Sequence, residues 1–164
     1  MQVRVLAPHE ATLHRTLRLS ALRDAPDSFG ETLSHAEAQP VSYWEEMTRH
    51  VTAPGGQIMV LACEGDEIVG TAYGLLDRER AETGRVGGMW VDPAWRRRGI
   101  GQALLQAVFG WAREHRLKRL ALWAPAHRPA AIALYRRAGF RKTGEQRPLP
   151  SHATLTIVAM EVEL

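Results

Sequence analysis

Cysteine is nearly absent: Cys63 stands alone in 164 residues. That excludes a disulfide framework and any multi-cysteine zinc site. Long apolar runs are missing too, since the longest, Ile58 to Cys63, is far too short to cross a bilayer. Met1-Gln2-Val3-Arg4 leads into charged residues, not into an apolar core, so no secretory signal is expected. Lysine is scarce, with two residues against 19 arginines. There are no repeats, no low-complexity tracts and no linker long enough to separate domains. What remains is ordinary globular usage, 45% apolar and 24% charged. A chain of this length can bury roughly 70% of its unfolded surface without a metal or disulfide staple. Together these point to one soluble cytoplasmic domain covering 1–164.

Charge is unevenly placed. Residues 96–147 hold 13 basic and two acidic residues, whereas residues 1–95 hold eight basic and 14 acidic. Such asymmetry suits one half to an anion and the other to a cation; solvated helix faces would give it as well.

Periodicity gives the order of elements. Val3–Leu6 reads as a short strand, and His9–Arg23 as a helix broken by Ala25-Pro26-Asp27-Ser28-Phe29-Gly30. A second helical stretch spans about Glu31–His50, interrupted near Pro40. Gln57–Glu64 and Glu67–Leu76, joined at Gly65-Asp66, read as a β-hairpin. Val86–Val91 adds a strand whose Gly87-Gly88 pair suggests a bulge or a close backbone approach. Ile100, Ala103, Leu104, Ala107, Val108, Trp111 and Ala112 step at the helical period. Leu117–Trp123 is a strand, Ala130–Ala138 a helix closed by Gly139, and Val158–Leu164 alternates as a strand. The order β–αα–βββ–α–β–α–β, with a further strand allowed at the end, predicts an α/β (α+β) fold. Its sheet is mixed, of six or seven strands, with helices on its faces.

Val91-Asp92-Pro93-Ala94-Trp95-Arg96-Arg97-Arg98-Gly99-Ile100-Gly101-Gln102 carries the most chemistry. A strand enters an Arg-rich turn and then a helix with two glycines in its first turn. Free N–H groups and the helix dipole meet there, which suits an anionic oxygen. Gln102 after Gly101 excludes a P-loop, and Leu104 stands where a dinucleotide fingerprint needs its third glycine.

Arg96-x-x-Gly99-x-Gly101 resembles the acyl-CoA pyrophosphate motif of the GNAT superfamily of N-acyltransferases. Downstream, Ala131-Ile132-Ala133-Leu134-Tyr135-Arg136-Arg137-Ala138-Gly139-Phe140 is similar to that family's Ala-Ile-x-Leu-Tyr-x-x-x-Gly-Phe segment. The resemblance implies the GNAT fold, with a V-shaped split between the strands at Val86–Val91 and Leu117–Trp123. It implies acetyl-CoA as cofactor, held by Met89, Trp90 and Val91 along the strand and by Arg96, Arg97, Arg98, Gly99, Ile100, Gly101 and Gln102 at the turn. The family commonly has Asn at the position of Arg128, which could here meet a CoA phosphate instead or point into solvent.

The implied reaction is direct attack of a primary amine on the thioester through a tetrahedral intermediate. An N–H near Met89 or Trp90 would receive the oxyanion, and Tyr135 would return a proton to the leaving thiolate. The acidic first half implies a cationic small-molecule or peptide acceptor, lined by Phe29, Gly30, Glu31 and Trp44. Glu31, Glu45, Glu46, Glu82 and His50 are all conceivable bases, and none is singled out. His9 and His14 are five residues apart, too far for a paired zinc site on one helix face. Cys63 reads as a buried, inert thiol. Two rivals remain: a non-catalytic acyl-CoA sensor, and a nucleic-acid binder using the basic half. The second is disfavoured because the aromatics do not interleave with the basic residues. No nucleic-acid or membrane partner is expected, and the last strand could pair across a homodimer.

Overall fold

A computed structural model describes residues 1–164. One seven-stranded sheet organises it. In chain order the strands are β1 (Gln2–Val5), β2 (Ile58–Glu64), β3 (Glu67–Leu76), β4 (Thr83–Val91), β5 (Arg119–Pro125), β6 (Arg141–Leu149) and β7 (His152–Glu163). In space they run β1-β2-β3-β4-β5-β7-β6. The β4–β5 pair is parallel, and all the others are antiparallel.

Helices cover both faces. They are α1 (Ala11–Asp24), α2 (Leu33–Glu37), α3 (Val41–Thr52), α4 (Ile100–Glu114) and α5 (Pro129–Arg137). Strand β2 shows why two layers are needed. Val60 and Ala62 pack with Leu104, Leu105 and Val108 of α4, while Met59, Leu61 and Cys63 pack with Leu17 and Ala21 of α1 and Val51 of α3. Side chains alternate across a strand, so a run buried on both faces reads as continuously apolar. Each buried leucine in these layers contributes about 2 kcal/mol of transfer free energy. No helix is long and apolar enough to cross a membrane.

The sequence-based order holds, with the larger shifts in four strands; one is β7, which begins at His152, six residues before the expected Val158. Strand β4 begins at Thr83, three residues before the expected Val86. Strand β5 runs two residues later than expected, because Leu117 closes the α4 turn through its N–H on Ala112 O (3.0 Å). Strand β6 is the added one, exposed along nearly its whole length and carrying Gly144 and Pro148. Without a buried face it leaves no period-two signal.

Candidate active site

The cleft begins where pairing stops. Strands β4 and β5 are in register only from Thr83–Arg85 against Arg119–Ala121. Beyond that point they diverge and enclose a cavity of about 440 Å³, lined by Val86–Val91 on one side and Trp123, Pro125 and α5 on the other. This is the expected V-shaped split. On its other edge β4 carries a bulge: Thr71 faces Trp90 and Tyr73 faces Gly87, so one extra residue is accommodated between them. Gly88 sits at that bulge with φ 55°, and its carbonyl accepts from Thr71 Oγ1 (3.0 Å). The backbone of Met89, Trp90 and Val91 therefore lines the cleft.

Below the cleft, the Arg-rich turn forms a second wall. Gly99 caps α4 in the left-handed conformation at φ 81°, with no side-chain cap. The first N–H groups of the helix thus stay free for a ligand. A β-carbon at Gly99 would meet nothing within 4 Å, so the approach is open. A depression of about 450 Å³ lies here, lined by Arg96, Arg97, Gly99, Ile100, Gly101, Gln102 and Arg137 among others. The Ile100 side chain is buried in the core, so only its backbone can serve the site.

The arginines divide. Arg97 and Arg137 line this depression and form no ion pair within the protein. Arg96 lines both cavities, donating to Val91 O (3.0 Å) and pairing with Asp24. Arg98 lines neither, and instead stacks its guanidinium 4.7 Å over the Trp95 ring. Arg128 lines the cleft but pairs with Asp27, which His127 also contacts at 3.1 Å. Those interactions hold the Asp27 carboxyl below the usual carboxylate range, Arg128 contributing most. Arg137 was missed from sequence, although it lies two residues after Tyr135 in the second motif.

Tyr135 also lines the cleft. Helix α5 ends just after it in a Schellman motif, with Gly139 N–H on Arg136 O and Phe140 N–H on Tyr135 O, each 3.0 Å. Gly139 takes φ 98°, and the Phe140 ring stacks edge-on to Tyr135 at 6.0 Å. These contacts fix where the phenol points. Burial alone pushes its pKa up to about 12. The fully buried side-chain atoms that lack a partner are Trp44 Nε1 and Arg128 Nε. The Tyr135 hydroxyl is not among them, no hydrogen bond shifts it, and its residue lines the cleft.

A further cavity of about 250 Å³ lies beyond the bulge, lined by His14, Arg18, Glu31, Tyr43, Trp44, Tyr73 and neighbours, with Gly87 and Gly88. Glu31 pairs with Arg18 at 2.9 Å. Trp44 is 4% exposed and packs with Leu19, Leu22 and Ala36. Phe29 lines the β4–β5 cleft, under the Arg18 guanidinium at 5.0 Å. Gly30 lines neither space and rests against Pro150. Trp90 turns its indole into the α1 side, donating to Asp24 Oδ2 (2.9 Å). His14, Arg18 and Tyr73 were not singled out as cavity residues from sequence, since nothing near them in the chain marks a site.

Comparisons agree with this geometry. Residues 19–140 match the acetyltransferase (GNAT) family model. An aminoglycoside N(6')-acetyltransferase type 1 from Stenotrophomonas maltophilia is 30% identical over 148 residues, 86% of either chain. The ribosomal-protein-alanine N-acetyltransferase structure from Brucella melitensis superposes with TM-score 0.81 at 19% identity, covering 100% of both chains. A phosphinothricin acetyltransferase from Sinorhizobium meliloti, solved with acetyl-CoA, gives TM-score 0.80 at 19% identity, covering 99% of this chain and 88% of that one. The chain therefore belongs to the GNAT acetyltransferase family, as an N-acetyltransferase that uses acetyl-CoA.

Proposed function

We propose that this chain transfers an acetyl group to a primary amine of a small molecule or peptide, with acetyl-CoA in the β4–β5 cleft and the amine in the cavity beyond the bulge. One observation carries the reading: Gly87 and Gly88 line both spaces. A thioester held along β4 and an amine held against Tyr73 would meet across two residues that carry no side chain.

The residues present suit the cofactor. Free N–H groups at the start of α4, with Arg97 and Arg137 beside them, would hold phosphate oxygens through charge-assisted bonds. Bound there, acetyl-CoA supplies an activated acetyl thioester. The edge of Met89–Val91 that faces away from β3 would hold the pantetheine amides once Arg96 yields Val91 O, and an N–H there would donate a hydrogen bond to the carbonyl oxygen as negative charge builds on it. Tyr135 would give its hydroxyl proton to the departing sulfur and recover one through solvent, which also takes up the protons that the attacking ammonium sheds. The raised pKa of Tyr135 keeps it protonated and able to donate near pH 7.

The acceptor cavity supports a single ammonium rather than a polycation. Four carboxylates of the acidic first half are engaged elsewhere: Asp24 with Arg96, Asp27 with Arg128, Glu10 with Arg4 and Glu37 with Arg23. Glu31 alone lines the cavity, and Arg18 shares it. Aromatic walls from Tyr43, Trp44 and Tyr73 suit a compact apolar body behind the amine.

Calorimetric titration with acetyl-CoA and dephospho-CoA, followed by an amine screen read by released thiol, tests this. Saturable one-to-one binding and thiol release with monoamines are expected. No binding, or release only with neutral or acidic amines, would overturn it. Polyamines outrunning monoamines would overturn the single-ammonium reading.

A further inference from the structure

The acceptor cavity contains a buried polar chain with no role in the transfer chemistry above. His14, on α1 and 2% exposed, places Nδ1 2.9 Å from Thr48 Oγ1 of α3. Its Nε2 lies 2.6 Å from the Tyr73 hydroxyl of β3. The two lengths differ in kind: 2.9 Å is ordinary for N–H···O, while 2.6 Å suits an O–H donor. The phenol is also the stronger acid of the two. The geometry therefore assigns the imidazole proton to Nδ1, donated to Thr48, and has Tyr73 donate to Nε2. With its only proton committed to His14, the Tyr73 oxygen can act toward the cavity only as an acceptor. That oxygen belongs to a ring packed against Gly88, at the junction of the two spaces.

We propose that Tyr73 orients the acceptor: its hydroxyl oxygen accepts a hydrogen bond from an N–H of the incoming amine at the Gly87–Gly88 bulge. His14 is the positioning residue that makes that oxygen an acceptor. The proposal rests on the acetyl-transfer reading and adds the residue that selects and aims the nucleophile. An amine with one N–H bound to Tyr73 can turn its lone pair toward the thioester, whereas an acceptor with no hydrogen to donate finds no partner there.

His14 does not serve as the proton's destination. Burial first, and Arg18 second, bring its pKa down to about 4, so it stays neutral near pH 7. The charged and titratable groups around it are Arg18 on α1, Glu31 on the following loop, Tyr43 on α3 and Tyr73 on β3. Arg18 and Glu31 pair with each other and leave no net charge to draw a proton onto the imidazole.

The test combines Tyr73→Phe, His14→Phe, His14→Gln and the Tyr73→Phe/His14→Phe double variant with nitrogen-15 spectra of the imidazole. Thiol release gives KM and kcat for the best amine of the screen, and calorimetry gives acetyl-CoA affinity. Tyr73→Phe, which keeps the ring against Gly88, is expected to raise the amine KM about tenfold with acetyl-CoA affinity unchanged. His14→Phe should match it, His14→Gln should recover most of the loss, and the double variant should be no worse than Tyr73→Phe alone. The wild-type imidazole should be neutral at pH 7 with its proton on Nδ1. A wild-type amine KM in Tyr73→Phe, additive losses in the double variant, or a proton on Nε2 would each overturn the assignment while leaving acetyl transfer intact. A wild-type chain that releases no thiol with any amine would instead overturn the reading on which the assignment rests.

Discussion

The Tyr73 ring lies so close to Gly88 that a β-carbon on that glycine would fall 2.1 Å from its Cδ2. The glycine also holds φ 55°, a left-handed conformation that costs other residues energy. Two independent demands therefore meet at one position. The bulge beside the β4–β5 cleft and the aromatic wall of the smaller cavity are a single structural unit.

Gly88→Ala should accordingly displace Tyr73 and flatten the bulge together. We expect a loss of about 2 kcal/mol in stability and at least about a hundredfold in turnover. Gly87 offers the internal comparison, because a β-carbon there approaches nothing closer than Leu75 Cδ1 at 3.8 Å. Thermal melting of both alanine variants checks this, with Gly87→Ala expected close to wild type.

Tyr135→Phe removes a hydroxyl and leaves the ring against Phe140. Turnover should fall by roughly a hundredfold or more, with acetyl-CoA affinity nearly unchanged. Steady-state thiol release beside calorimetry separates the two. Unchanged turnover would take Tyr135 out of the chemistry.

Arg97 and Arg137 stand unpaired beside the N-terminus of α4. Replacing either with alanine should weaken acetyl-CoA binding about tenfold, with the loss shrinking as salt is raised. Titrations at two ionic strengths read it directly. Arg98→Ala should bind nearly as well as wild type, because that side chain is spent on Trp95.

Acid stability offers a test that needs no substrate. The folded protein holds His14 at about 4, whereas the unfolded chain protonates it near 6.5. As pH falls below 6.5 the unfolded state takes up a proton that the folded state refuses. The stability present above that pH is therefore lost progressively down to about 4, by about 3 kcal/mol in all. The depressed carboxyls of Glu10, Asp27, Asp77 and Glu161 also lose their contribution on acidification, but only below their ordinary range near 4.5. Urea unfolding between pH 6.5 and 5 should therefore show a slope in wild type that His14→Gln lacks.

How much of this was legible in the chain follows from the range of the forces involved. The α4 periodicity, the glycines at 99 and 139 and the paired glycines at 87 and 88 are local signals, and the structure places each where local rules put it. Strand β6 pairs along an exposed edge, so its side chains record no burial. The cavity beyond the bulge was harder for the opposite reason. His14 meets Tyr73 across 59 residues, and Arg128 meets Asp27 across 101. Neither partner carries a mark of the other. From sequence His14 could be judged only against His9, its neighbour in the chain, and the comparison that matters is with β3.

The divergence of β4 and β5 gives the sheet an inner margin, a stretch of strand edge that lines a cleft instead of meeting a neighbouring strand. Elsewhere such an edge invites another strand and is guarded with charge or prolines. Here α5 and the loop after α1 flank it, and a slender chain carrying its own amides would pair with it. On the proposed reading that edge would work as an open rung in the sheet's own ladder, and the pantetheine arm would complete the architecture as a temporary eighth strand. A protein built this way would be at its most ordered while it is at work.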